Sequence, residues 1–471
     1  MSDPAARPAR WAALLSALCL LTWASVAVLG PSAAVPALGA GRVPFDLGLH
    51  PSSATVTVLL AVAVVCGGGA LAAGLRALAR GWRPRRFLLL AVVGAVVLTC
   101  VPPVGSADHL SYAAYGRIAA LGGDPYSQPP DTFAAGTDPV VSAVRDPWRS
   151  TTSVYGPVGG LLMALSSLAG GASVRTTVWA WQLLLLLAWA VVALVARRVL
   201  AGDDRARARF HVLFTANPLL LTVGLGGAHA DVLAGAAAVV ALLLARGRPF
   251  WAGVALAVAV GTKAPFGAVA VGIVVAAVAA RRCGAAWLAR GVGGALLVLV
   301  PAHVWAGAHA YDQTRTASRY VSLATIWRPL VEAGVPRGVL LPGLVLVVAL
   351  VTWLWWPVLV RGGQLQRAAG VTVLLAAGYL LGAAYELPWY DLLLWGPLAL
   401  VPAPVALTGT AAARLTLLAL AYVPGLVDGM SPLVEAVTLG YRREVGPWVA
   451  WAALVAVVVT GIRQRRTVEI R

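Results

Sequence analysis

The sequence predicts an all-α polytopic membrane protein, and three observations carry that expectation. Hydrophobic residues make up 60% of the 471 positions and charged residues 11%, whereas the charged share of an ordinary soluble domain is near a quarter. Mean hydropathy is +0.83. Apolar runs able to cross roughly 30 Å of hydrocarbon recur from residue 11 to residue 462, and a chain in lipid satisfies its backbone as helix. The count comes to about 13–14 transmembrane helices. The formal charge of +18 does not point to nucleic acid, because the arginines fall in short clusters between apolar runs, as the positive-inside rule describes. Cys19, Cys66, Cys100 and Cys283 lie in or beside apolar runs without metal-ligand spacing, so neither a disulfide nor a zinc site is expected.

Arg7 and Arg10 place the N-terminus inside, and the first apolar run lacks a small-residue cleavage site, so it reads as a retained helix over 11–29. An outer loop with Asp46 and His50 follows. A helix over 54–75 returns to Arg76, Arg80, Arg83, Arg85 and Arg86, and one over 87–104 delivers the longest polar interval, 106–157, to the outside. Two apolar stretches, 158–169 and 178–196, then precede Arg197, Arg198, Arg205, Arg207 and Arg209. If both crossed, those arginines would face outward. The stretch 158–169, about a dozen residues long, is therefore expected to lie at or dip into the outer interface.

Helices follow over 212–224 and 232–245 with 226–231 outside, then over 251–262 and 264–280 with Lys263 at their outer hairpin. Arg281, Arg282 and Arg290 mark the inside, and a helix to 306 leads to a second outer loop, 308–338. The last helices, over 339–360, 368–383, 392–407, 411–427 and 447–462, leave 384–391 and 428–446 outside and 463–471 inside. Both termini are thus expected in the cytoplasm. No repeat of fixed period and no inverted pair of Gly/Pro-broken helices is visible.

The interval 106–157 gathers Asp108, Asp124, Asp131, Asp138 and Asp146 with Tyr112, Tyr115, Tyr126, Trp148 and Tyr155. Acids and aromatics beside a membrane suggest carbohydrate chemistry. Asp108, Tyr112 and Tyr115 share one face of a surface helix, where the carboxylate could take a proton from a sugar hydroxyl or merely cap the helix. Tyr112 and Tyr115 fit interfacial anchoring as well as sugar stacking. His229 and Asp231 stand at a helix end where ionisable groups are costly and tend to be functional, although Asp231 would also serve as a cap. Lys263 is the only lysine in a chain that otherwise uses arginine, and it interrupts an apolar segment. Glu386, Trp389, Tyr390 and Asp391 place two acids and two aromatics within six positions. Arg315 and Arg319, four apart, could bind a phosphate from one helical face or pair with outer-loop acids.

A wider pattern joins these pieces: Asp108 with Tyr112, Tyr115–Gly116–Arg117, Gly123–Asp124–Pro125–Tyr126, Trp148, Ser153–Val154–Tyr155–Gly156–Pro157, Asn217–Pro218, Gly227–Ala228–His229–Ala230–Asp231 and Lys263. In this order and spacing the chain resembles the actinobacterial polyprenol-phosphate-mannose-dependent α-1,6-mannosyltransferases of the GT-C superfamily. The resemblance implies a GT-C-like bundle whose first large extracytoplasmic loop bears interfacial helices. Residues 1–86 would be an amino-terminal two-helix addition with a cytoplasmic basic loop. Residues 87–471 would form the catalytic domain, with outer loops 105–157, 308–338 and 384–391. It implies transfer of mannose from a polyprenyl-phosphate carrier to a lipomannan-type glycolipid in the cell membrane, with the site outside.

By that resemblance Asp108 maps onto the essential acid and Asp231 onto a second one. Lys263, Arg315 and Arg319 are the candidates for the donor phosphate. Tyr112, Tyr115, Tyr126, Trp148, Tyr155, His229, Asp231, Glu386, Trp389 and Tyr390 are those for sugar and acceptor. Asp124 and Ala230 stand where asparagine is expected, which bears on the sugar or acceptor more than on the reaction type. No cofactor or metal is called for, since the donor's phosphodiester carries one negative charge. The expected partners are the polyprenyl-phosphate sugar donor, the glycolipid acceptor and the lipid bilayer, with no nucleic acid. Two alternatives stay open: another polyprenyl-phosphate sugar, arabinose or glucose, and a lipid-linked-sugar flippase or transporter, which would need no outer base.

Overall fold

A computed structural model describes residues 5–281, 283–426 and 428–469. Arg282, Val427, Ile470 and Arg471, which the sequence reading used as an inner charge, a helix end and the inner tail, lie outside the described residues. The described chain is helical throughout its regular structure. It begins with an antiparallel pair, α1 (Ala6–Leu29) and α2 (Ser53–Ala79), then α3 (Arg85–Cys100) and α4 (Asp108–Ala120). Next come α5 (Pro157–Gly170), α6 (Val174–Val199), α7 (Asp204–Phe210), α8 (Ala230–Leu244), α9 (Pro249–Thr262), α10 (Ala268–Ala279) and α11 (Ala285–Ala306). Two short helices, α12 (Asp312–Ala317) and α13 (Trp327–Glu332), precede α14 (Leu340–Leu359) and α15 (Gln364–Gly382). The chain ends with α16 (Leu392–Ala399), α17 (Val405–Ala421), α18 (Pro432–Gly440) and α19 (Gly446–Glu469).

Among the described residues, seven helical stretches are long and apolar enough to cross a membrane, eight if the bent pair Asp204–Thr215 and Leu220–Gly226 counts as one span. A further set of apolar helices, α3, α5, α8, α9, α10 and α17 among them, is shorter than a bilayer. The chain is thus a multi-pass membrane protein. The expected spans differ from the observed helices chiefly at prolines. The helix expected over 212–224 is bent by 52°, because Pro218 lacks an N–H and Asn217 Oδ1 takes the Leu219 and Leu220 N–H groups instead (3.0 and 3.4 Å). The helix expected over 392–407 stops at Ala399, and Pro402 and Pro404 carry the chain extended into α17.

Both ends of α5 lie on one side of the bundle. At its start the Gly156 N–H donates to the Thr262 carbonyl at 3.0 Å, where α9 ends. At its finish Arg117 of α4 donates to the Gly171 carbonyl at 3.2 Å. A few residues on, Arg175 pairs with Asp46 of the loop between α1 and α2 at 2.8 Å. The helix therefore does not cross, and α4 and α5 form a shelf over one end of the bundle. Their backbones touch through glycine, since a Cβ on Gly116 would lie 2.2 Å from the Met163 carbonyl oxygen. The helices α1 and α2 pack against each other and onto α3 and α17, and their connecting loop is tied down by Gly105 N–H to Ala34 O (2.9 Å) and Leu426 N–H to Ala33 O (2.9 Å).

Candidate active site

Beneath the shelf, four segments converge. The link from α3 to α4 is held by Val104 N–H to Gly226 O at 3.0 Å, which sets the start of α4 against the turn before α8. Asp108 is the first residue of α4, and its N–H donates to Ser106 Oγ at 3.1 Å. The N-cap position is Ala107, with no side-chain cap, so the Asp108 carboxylate is not spent on capping. Its Oδ2 lies 3.3 Å from His229 Nδ1, and Tyr112 OH, one helical turn along, faces the same nitrogen at 3.5 Å. With the proton on Nδ1, the imidazole donates to the carboxylate and orients it.

His229 reaches this position from a turn in which Ala228 adopts a left-handed φ of 54°, a conformation costly for alanine. The Ala228 carbonyl is held by Trp181 Nε1–H at 2.9 Å. The other side of the ring is fixed by Trp389, stacked at 3.5 Å between centroids and 12° between planes.

Two residues after His229, Asp231 sits in the first turn of α8, where the helix dipole favours an anion. It is no solvated cap: it is buried, and both its oxygens accept from Lys263 Nζ at 2.8 Å. Lys263 ends α9 with extended backbone (φ −145°) before the short turn Ala264–Gly267. Its ammonium also lies 3.9 Å from the centre of the Tyr390 ring, a cation–π contact.

These groups line or back one cavity of roughly 210 Å³. Asp108, Trp148, Tyr155, Asp231, Lys263, Trp389 and Tyr390 all reach its wall. Tyr112 and His229 stand directly behind, with Tyr112 edge-on to Tyr155 at 5.0 Å. Burial, reinforced by the Asp108 and Asp231 carboxylates, pushes the Tyr112 phenol well above its ordinary range. Burial does the same to Tyr155, with Tyr112 and Asp108 adding to it. Both rings stay neutral and keep their hydroxyl protons.

Residues 12–280, more than half of the chain, match the family described as "Alpha-(1->6)-mannopyranosyltransferase, N-terminal domain". The chain belongs to this family. It is 32% identical over 170 residues to Alpha-(1->6)-mannopyranosyltransferase A of Corynebacterium glutamicum, covering 36% of this chain and 34% of that one. It is also 32% identical over 143 residues to a probable alpha-(1->6)-mannopyranosyltransferase of Mycolicibacterium smegmatis, covering 29% of this chain and 25% of that one. The matched part thus spans about a third or less of the length of these curated relatives. Among solved structures, those of ArnT from Cupriavidus metallidurans, bound to undecaprenyl phosphate and apo, align over 81% of this chain and 78% and 77% of theirs. Identity is 16% and 17%, and the TM-score is 0.41 for each.

For this member of the alpha-(1->6)-mannopyranosyltransferase family, five of the expected site residues neither line the cavity nor stand directly behind it. Tyr115 is buried in the shelf, its hydroxyl donating to the Thr151 carbonyl at 2.9 Å. Tyr126 packs with Ala306, Ala310 and Tyr311, edge-on to Trp305 at 6.0 Å. Glu386 turns inward and pairs with Arg414. Arg315 is exposed and bonds Asp312 at 3.3 Å; Arg319 is also exposed, and α12 ends at Ala317, so the two do not share a helical face.

The sequence reading passed over Tyr320, Tyr379, Tyr385 and Phe266, which line the cavity. It also passed over His109, which is buried beside Asp108 with neither ring nitrogen hydrogen-bonded among the described residues. Burial, then the nearby His229, lowers the His109 pKa to about 3 against the pull of Asp108, so that ring is neutral.

Proposed function

We propose that this chain is an inverting glycosyltransferase that moves mannose from polyprenyl-phosphate mannose to a lipomannan-type glycolipid, forming an α-1,6 linkage at the extracytoplasmic face. The observation that carries the reading is the convergence of a partly exposed acid and an ammonium on one aromatic-walled cavity at the shelf end of the bundle. Family membership supports the sugar and the linkage. The position of the arginine clusters at the opposite ends of the helices supports the side.

In this reading Asp108, 18% exposed and held by His229, is the general base. The acceptor hydroxyl oxygen attacks the mannosyl C1 from the face opposite the phosphate, and its proton passes to Asp108. The bond between C1 and the phosphate oxygen breaks, and the electron pair leaves with the polyprenyl phosphate, which needs no general acid. Lys263 meets the charge that develops there: its ammonium, held by Asp231 and against the Tyr390 ring, reaches the cavity wall and donates to a phosphate oxygen. Trp148, Tyr155 and Trp389 offer ring faces to the sugars.

The test is a transfer assay with purified protein in detergent, using labelled polyprenyl-phosphate mannose, arabinose and glucose with a mannosylated lipid acceptor. Product with the mannose donor is expected. A product with arabinose or glucose alone would change the sugar, and no product with any donor would leave the transport alternative standing.

A further inference from the structure

The segment that presents Trp389 and Tyr390 to the cavity is gripped from behind by a single guanidinium. After α15 the chain runs through Glu386 to the turn Pro388–Asp391 and into α16. Arg414, in the middle of α17, pairs through Nη2 with Glu386 Oε1 and through Nη1 with Asp391 Oδ1. Its Nη2 also donates to the Leu380 carbonyl at 3.2 Å. The three side chains are 8%, 5% and 0% exposed. Ser322 and Tyr422 hold the Glu386 backbone from the same side.

Two acids five positions apart, bridged by one planar fork, fix both ends of the four residues between them, Trp389 and Tyr390 included. An ammonium offers one charged atom and cannot span both carboxylates in that way. Such a grip is costly inside a bundle, since a guanidinium and the two carboxyl groups it bridges must be kept from water. It is therefore hard to account for as simple packing.

We infer that Arg414 is a positioning residue: by gripping Glu386 and Asp391 it fixes Trp389 against His229, and it acts on transfer through that stack. The chain of contacts runs from Arg414 through the turn to Trp389, to His229 at 3.5 Å between ring centres, and to Asp108 at 3.3 Å. Loosening it lets the His229 ring rotate and the Asp108 carboxylate lose its donor. This rests on Asp108 being the base in the reaction proposed above.

The experiment is a cycle of Arg414→Lys and Trp389→Leu in the full chain. Each variant is checked for amount and thermal stability, and turnover is read at saturating donor. Arg414→Lys alone is expected to lower turnover by about 10-fold, within the loss a misplacement near 1 Å can cause. In the Trp389→Leu background the same change is expected to cost less than about twofold, because the route it acts through is already gone. Equal losses in both backgrounds, or full activity of Arg414→Lys, overturn the inference.

Should Arg414→Lys fail to fold, the uncharged triple variant Glu386→Gln, Asp391→Asn, Arg414→Gln takes its place in the same cycle with the same two outcomes. If the parent protein transfers no sugar at all, the proposed function falls. The grip is then read on binding of polyprenyl monophosphate by thermal shift, since Trp389 lines that cavity. There, non-additive losses uphold the hold of Arg414 on Trp389, and additive ones overturn it.

Discussion

Removing the Lys263 ammonium tests the phosphate role, provided its structural role is separated first. Lys263→Met leaves Asp231, 1% exposed, as a buried carboxylate without its two 2.8 Å donors. Breaking a buried pair from one side costs about 3–5 kcal/mol, enough to lower thermal stability visibly and to confuse a simple activity loss. The informative protein is the double variant Lys263→Met, Asp231→Asn, in which no buried charge is stranded. Its unliganded melting temperature should return close to that of the parent.

Its transfer should not return. A charge-assisted hydrogen bond to the phosphate is worth about 1.5–3 kcal/mol, or roughly 10- to 150-fold, and the loss should be seen at limiting donor lipid. The assay is therefore paired: melting of the unliganded protein, and initial rate against donor concentration. A stable double variant with the parent's rate at limiting donor would refute the phosphate role.

Three further outcomes follow from the same geometry. Asp108→Asn should keep the fold, since the Asp108 side chain caps nothing, and lower turnover by about 10²-fold or more; near-normal turnover would remove Asp108 from the chemistry. In a background without the four native cysteines, cysteine at Ser127 or Thr132 should react with an impermeant thiol reagent added to whole cells, and cysteine at Arg205 should not. All three positions are exposed, so labelling only at Arg205 would invert the proposed sidedness. Asp138, beside Arg117 at 3.0 Å, is raised by burial but lowered overall by Arg117 and by the Val141 and Val140 N–H groups. A depressed carboxylate stabilises the fold above its ordinary value of 3.8 and loses that contribution as pH falls through the folded value. Asp138→Asn should accordingly melt lower than the parent at pH 7, with the gap closing at acid pH; a gap independent of pH would mean the pair contributes nothing.

Much of the helical layout was legible because lipid leaves a chain few options, and hydropathy averages survive errors of a residue or two. The shelf helix α5 was legible for a second reason: the arginines at 197–209 forbade another crossing. Where the reading failed, local chemistry had been averaged away. Pro402 and Pro404 end a run that hydropathy continues to 407, and Pro218 bends one that looks straight. Glu386 was assigned to sugar because acids near aromatics suggest it. Its true neighbour, Arg414, lies in an apolar run 28 positions on, where a lone ionisable residue was itself a signal of a buried partner. Tyr115 and Tyr126 carry no mark in sequence that separates a ring turned into the shelf from one turned into the cavity.

The two acids that the motif brings together could not be told apart by spacing, and the structure makes them unequal. Asp108 and Asp231 arrive from different helices at one cavity, and each is held by a cationic or hydrogen-donating partner within reach. Lys263 occupies both oxygens of Asp231, which is closed off from solvent. His229 approaches one oxygen of Asp108, and the Asp108 side chain reaches the cavity wall. A base must be open to the incoming hydroxyl, and in the proposed reaction Asp108, 18% exposed, has that access where Asp231, 1% exposed, does not. Asp231 instead holds the Lys263 ammonium in place, so that in the proposed reaction the donor's phosphate would meet a cation already fixed and partly neutralised. Such division of labour between neighbouring carboxylates, set by surroundings and not by residue type, is how a site assigns acid and base roles.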